Sequence, residues 1–335
     1  PAAIRLDSPA RPALVYYTAP SELNERASAL HVEITQPPAS DITLQGGFSG
    51  FSQDGLMRTF NAHSLLAAAQ AGEARLEANI YALMHNKGVP PGPWIGRVLA
   101  LSEVDGLNTT SLDEMLKATR AFKVFKPSDK PVRWLDVVRS QFHEVSLQDG
   151  RHRLKAKNEL EFAVPALSLK KDVSTNSVML ICLVKDKASG DVLVGLQKIH
   201  PLQSQFPAVQ QREDYSGHIT IPGLRLPSHV KHAQFVPEWI AQKTGVPEHA
   251  IRNLGEGYFP TLGIMPNRVF PFCVTEPSEY IKHTCDFVPL REVFQRLDEL
   301  QDLHTMIAVQ RAVHALDLWE NYTQPTPETA PAAGF

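Results

Sequence analysis

The chain has 335 residues, 43% hydrophobic and 21% charged, a balance that excludes wholesale disorder or a collagen-like repeat and leaves room for two domains. Lys and Arg number 33 against 36 Asp and Glu, so no global basic field draws the molecule to nucleic acid, and RNA stays open as a partner only through a local patch. Cys182, Cys273 and Cys285 lack C-x-x-C spacing, which argues against a disulfide framework or a Cys-rich zinc site and for a reducing compartment. No uncharged apolar run reaches the ~18 residues that span a bilayer, and the N-terminus lacks a secretory pattern. The expectation is a cytoplasmic protein with no membrane partner, its leading proline a plain chain start and not a catalytic amine.

In chain order, Leu14 to Tyr17 and His31 to Thr35 read as short strands, and Phe48 to Phe51 as a Gly-rich turn. Between Ala62 and His85 the spacing of Leu65, Leu66, Ala69, Leu76, Ile80 and Leu83 predicts an amphipathic helix that Gly72 breaks in two. Ser111 with Glu114 three residues on is a capping box, predicting a helix to Phe125. A third helix is expected from Trp134 to Val145. Pro127, Pro131 and the charged run Gln148 to Glu161 separate the halves, with a boundary near residue 170. The division expected is an N-terminal α+β domain of unknown role over 1–170, a second domain over 171–321, and a Pro/Thr/Ala-rich tail over 322–335.

Motif searches in this part are negative. Gly46-Gly47-Phe48-Ser49-Gly50 misses the spacing of a nucleophile elbow, and the Gly190 to Gly195 interval has Leu196 where a phosphate loop needs lysine.

Further on, Val178 to Lys185 and Val192 to Gln197 read as a hairpin around Ser189-Gly190-Asp191. His218 to Gly223 is a strand ending in Pro-Gly, followed by a helix closing at Lys243-Thr244-Gly245-Val246. This succession resembles the Nudix superfamily. Gly257 to Asn267 with the strand Val269 to Val274, then Phe287 to Val293 with a helix from Leu303 to Trp319, is similar to the family's later elements. The resemblance covers residues 173–320 and implies an α+β chain whose second half is an α/β/α sandwich with a mixed sheet.

The resemblance also implies hydrolysis of a nucleoside diphosphate derivative with Mg²⁺ held by glutamates on one helix. Laid on the chain without a gap between Pro222-Gly223 and Gly245-Val246, the family pattern meets Leu224 at its glycine and Val230 at its first glutamate. Glu238 stands at its arginine, Trp239 at the next glutamate, and Gln242 and Lys243 at its paired glutamates. A lysine ~4 Å from a cation is repelled by about 4 kcal/mol per unit charge at an effective dielectric near 20. Pro237 predicts a shortened helix with the proline in its first turn. Glu238 is then expected to point away from the direction Trp239 faces.

The expectation is therefore a catalytically degenerate pseudoenzyme needing no cofactor, which binds a nucleotide-like ligand or assembles with a protein partner or a second copy of itself. Candidate ligand contacts are Arg225, Gln242, Lys243, Tyr258, Phe259 and Arg268; no catalytic or metal residue is assigned. The alternative is an atypical Nudix-type hydrolase holding Mg²⁺ through Glu248, Glu256, Glu276 or Glu279. His229 and His232, with His218 or His200 near, lack the surrounding carboxylates that would favour a metal site, and Cys273 reads as a buried apolar side chain.

Overall fold

The computed structural model describes residues 11–18, 26–31, 42–43, 56–57, 61–63, 66, 72–96, 99–119, 135–148, 151–165, 173–199, 218–230, 233–260 and 267–323. The chain is mixed α+β. Its strands are β1 (Arg11–Tyr17), β2 (Arg26–His31), β3 (Ile42–Thr43), β4 (Leu56–Met57), β5 (Glu103–Val104), β6 (Leu135–Gln148) and β7 (Arg151–Pro165). After them come β8 (Val173–Asp186), β9 (Val192–Ile199), β10 (His218–Thr220), β11 (Gly223–Pro227), β12 (Ile251–Asn253), β13 (Val269–Val274) and β14 (Asp286–Pro289). The helices are α1 (Ala74–Lys87), α2 (Leu112–Thr119), α3 (Val236–Thr244), α4 (Glu279–Thr284), α5 (Leu290–Gln295), α6 (Leu303–Ala315) and α7 (Trp319–Thr323).

An eight-stranded mixed sheet is built on β8, with the path β10-β9-β8-β13-β12 and with β11 and β5 on β8 and β14 on β9. β8 and β13 run parallel, Val269 opposite Ser177 through Val274 opposite Cys182, a pairing that requires a long crossover and receives one containing α3. The apolar run in β8 is buried on both faces because side chains alternate along a strand. Met179, Ile181 and Leu183 join a core with α1, α2, α5 and α6. Val178, Leu180, Cys182 and Val184 join another with Val236, Trp239 and Ile240 of α3 and Ile281 of α4. Gly195 lies where that second face is crowded: a Cβ there would stand 3.3 Å from the Cβ of both Cys182 and Cys285.

The described part of the first half shares the first core, through Leu14, Tyr16, Tyr81, Leu99, Leu112 and Met115. β5 also extends the sheet, pairing parallel with Lys185 and Asp186 of β8. Both arms of the capping box form: Glu114 N–H donates to Ser111 Oγ at 3.2 Å and Ser111 N–H to Glu114 Oε2 at 3.3 Å. Gly72 sits at a bend and α1 starts at Ala74, with residues 62, 63 and 66 helical before it.

Trp134 to Val145 corrects the expectation of a helix. From Leu135 onward it is β6, paired antiparallel with β7, and Gln148 and Arg151 to Glu161 of the charged run belong to that ribbon. Val137, Val138, Phe142 and Val145 are strand-favouring residues, and pairing with β7, from Leu135 opposite Pro165 to Gln148 opposite Arg151, outweighs the weak helical spacing. β2 spans Arg26–His31 and so takes in the first residue of the strand expected over His31 to Thr35, of which residues 32–35 lie outside the described residues. Pro1, the turn at Gly46 to Phe51, the helix end near Phe125, the boundary near 170, His200, His232 and the tail from 324 onward lie outside the described residues.

The second half follows its sequence closely. α3 spans Val236–Thr244 with Pro237 in its first turn and Gly245 closing it at φ 69°. Trp239 is buried against the sheet and Glu238 exposed, as the 100° turn per residue requires. No helix among the described residues is long and apolar enough to cross a membrane. The three thiols are buried and free; burial pushes all of them up, Cys285 to about 11 despite a hydrogen bond with Thr284, so none is a ready thiolate.

Candidate functional site: a cleft where the sheet forks

β8 is long enough to change partners. From Cys182 to Lys185 it pairs with β9, whereas from Val173 to Met179 the same edge pairs with β11. β9 instead runs on to meet β10, Ile199 opposite His218. Pro222 and Gly223 carry the chain across this gap. A cleft of 340 Å³ opens there, within the size range of small-molecule sites. Its polar wall is Gln197, Thr220, Arg225, Asn267, Asp302 and His304. Ser177 and Met179 also line it, which sets the cleft on the face of β8 away from α3.

The N-terminus of α6 forms one wall, and Asp302 caps it. Asp302 is buried, and its Oδ2 accepts from Thr220 Oγ1 at 2.7 Å and from Thr305 Oγ1 at 2.5 Å, while the Thr305 N–H lies 3.3 Å away. Its Oδ1 accepts from the His304 N–H at 3.3 Å. The Ile221 N–H in turn donates to Thr305 Oγ1 at 3.1 Å. A carboxylate with this many donors is spent on tying β10 to α6 and capping the helix. His304 projects beyond it, its Nδ1 3.0 Å from the Tyr258 hydroxyl.

Tyr258 is held from the other side. Arg311 lies over its ring at 5.6 Å, and Arg311 Nη1 donates to the carbonyls of Leu254 at 2.9 Å and Glu256 at 2.7 Å. The guanidinium is completed by Glu77 of α1, with Nη2 on Oε2 at 2.7 Å and Nε on Oε1. Both partners are fully buried. Burial opposes the charge on Arg311, but Glu77, together with Tyr81 and Tyr258, outweighs it and the Arg311 pKa is raised. Beside this pair, His314 Nε2 lies 2.7 Å from the Gly92 carbonyl and Nδ1 lies 3.0 Å from the Tyr81 hydroxyl.

The sequence-derived ligand contacts are dispersed. Arg225 lines the cleft, its Nη1 donating to the Thr175 carbonyl at 3.3 Å. Gln242 and Lys243 are exposed on α3, Gln242 donating to Glu238 at 3.2 Å. Tyr258 is 0% exposed, so its ring offers no open face for stacking. Phe259 is half-buried, its N–H on the Gly72 carbonyl at 2.8 Å. Arg268 faces away from the cleft, over the Phe270 ring at 5.2 Å and 3.5 Å from Glu256.

The carboxylates of the hydrolase alternative are spread out. Glu248 is exposed, Glu256 pairs with Arg268, Glu276 with His249 and Glu279 with Lys282. His229 is exposed, while His218 is buried edge-on to Tyr17 at 4.9 Å. Among the described residues no three His, Cys, Asp or Glu side chains come together as metal ligands.

Gln197, Thr220, Asn267, Asp302 and His304 were not singled out from the sequence. Asp302 had a signal, an aspartate directly before the apolar run of α6, the position of an N-cap. The others had none, because their role depends on where β9 leaves β8. No protein-family model matches the chain, and no curated protein matches it.

Proposed function

We propose that this chain is a Nudix-like, catalytically degenerate protein that binds a nucleotide-like ligand in the cleft at the fork of its sheet. The observation that carries it is the cleft itself: a 340 Å³ opening with the Arg225 cation and amide and imidazole groups in its wall. Further support comes from α3. In this reading α3 takes the place of the Nudix helix, and it turns Trp239 and Ile240 to the sheet and its carboxylate, Glu238, to solvent. In this proposal residues 171–321 are the Nudix-like domain, and the first half braces it through Glu77.

The test is thermal unfolding with ADP-ribose, ADP and adenosine at millimolar concentration, with and without Mg²⁺. A ligand at 100 times its Kd stabilises by about 2.7 kcal/mol, so a binder raises the midpoint by several degrees. Arg225→Gln is expected to abolish the rise while leaving the unliganded midpoint close to wild type. No rise with any of these ligands would sink small-molecule binding and leave assembly with a protein partner as the function. Steady turnover on the order of 1 s⁻¹ with Mg²⁺ would replace it with the hydrolase.

A further inference from the structure

We infer that Tyr258 holds His304 in its Nε2–H form, so that the cleft whose wall also holds Arg225 presents a fixed imidazole donor and takes its ligand through an oxygen that only accepts, a phosphoryl oxygen. The recognition half rests on the ligand-binding function proposed above; the tautomer does not.

Tyr258 is fully buried, and burial, the largest influence on it, pushes its phenol pKa far up, so the hydroxyl keeps its proton. A buried hydroxyl proton left without an acceptor costs about 1–3 kcal/mol. His304 Nδ1, at 3.0 Å, is the group within hydrogen-bond reach of that hydroxyl among the described residues. The hydroxyl therefore donates and Nδ1 accepts. In the neutral ring the proton then resides on Nε2.

The two rings lie nearly parallel, at 27° with centroids 5.9 Å apart, which restrains the imidazole from flipping. Nε2 has no hydrogen-bond partner among the described residues, and His304 lines the cleft. An N–H and a guanidinium are donors only, so together they match an oxygen carrying lone pairs and no hydrogen. The carboxylate in the same wall, Asp302, is already engaged by Thr220, Thr305 and the backbone. Tyr258 is thus a positioning residue, and its place is set in turn by Arg311 and Glu77.

Two measurements on the full chain separate the halves. Ring ¹⁵N NMR of the unliganded protein is expected to find His304 protonated at Nε2 in wild type and a mixture of tautomers in Tyr258→Phe. An Nδ1–H ring in wild type, or an unchanged ring in Tyr258→Phe, overturns the lock. Calorimetry with inorganic pyrophosphate is expected to show binding weakened about 10–100-fold in His304→Phe, the scale of a hydrogen bond to a charged group. His304→Gln, which keeps an N–H donor, should recover part of it. Equal affinity in His304→Phe and wild type overturns the recognition half while the binding function stands. No pyrophosphate binding by wild type overturns the recognition half, the binding function is decided by the thermal shift with ADP-ribose, ADP and adenosine, and the NMR result on the lock is read without ligand.

Discussion

At the N-terminal end of α6, Asp302 and His304 line a cleft that opens to solvent; about two and a half turns later, Arg311 and His314 lie inside the core. Both ends hold polar groups in hydrogen-bonded networks, and both reach other segments: Asp302 and Thr305 reach β10, Arg311 and His314 reach α1 and Gly92. The difference is solvent. In the interior a polar group needs its partner inside the protein, because none arrives from water. At the cleft one nitrogen of His304 can be left for a ligand. A cluster of polar side chains is therefore read as structural or functional by whether its last donor or acceptor is already taken.

The largest test of that contrast is Arg311→Met. It leaves the buried Glu77 carboxylate without its cation, and breaking a buried pair costs about 3–5 kcal/mol. Urea denaturation should show the loss, and the double substitution Glu77→Leu with Arg311→Met should recover much of it. A double variant no more stable than the single would show that the pair itself, and not the orphaned charge, carries the stability. Asp302→Ala is next, at about 1–3 kcal/mol for a lost cap and unpaired threonine hydroxyls. Asp302→Asn should retain most of it in thermal unfolding.

A smaller effect comes from His314. Its Nε2 donates to Gly92 and its Nδ1 accepts from Tyr81, whose buried phenol keeps its proton, so a second ring proton would displace that bond. Burial, the dominant cause, lowers the His314 pKa from 6.5 although Gly92 and Asp317 work the other way. Above that value both folded and unfolded states hold the ring neutral and nothing is lost. As pH falls below it the unfolded chain takes up a proton first, so stability declines until the folded-state pKa is reached, by about 1.4 kcal/mol per unit of depression. His314→Phe should flatten the dependence of the unfolding midpoint between pH 7.5 and 5.5. His85, lowered chiefly by burial as well, retains its own share of the slope in that variant. Smallest of all is Lys185→Ala. Lys185 and Glu103 pair at 3.1 Å with side chains 45% and 56% exposed, and such surface pairs contribute roughly 0–1 kcal/mol, so its midpoint should stay close to wild type.

Local punctuation was legible wherever one residue decides a backbone conformation. Pro237 and Gly245 bracket α3, Ser111 and Glu114 start α2, and Gly190 at φ 79° turns β8 into β9. The ribbon of β6 and β7 was missed because its apolar residues fit a helical stripe and a strand about equally, and pairing with a distant run settled the matter. The candidate contacts followed the helix of the resembled family. The cleft instead opened on the other face of β8, with Arg225 alone of those residues in its wall.

The amino-acid sequence by itself did not reach β11, β12 or α4, but it determined β8, β9, β10 and β13, the start of α6, the shortened α3 with Trp239 inward and Glu238 outward, and an α+β class. Those follow from torsional preference and side-chain period, which act over a few residues. Tertiary structure alone decided that Glu77 meets Arg311, 234 positions away, that β9 parts from β8, and that Tyr258 faces His304. Such contacts depend on which surfaces remain to be covered once the sheet is assembled, and no short stretch of chain carries that information.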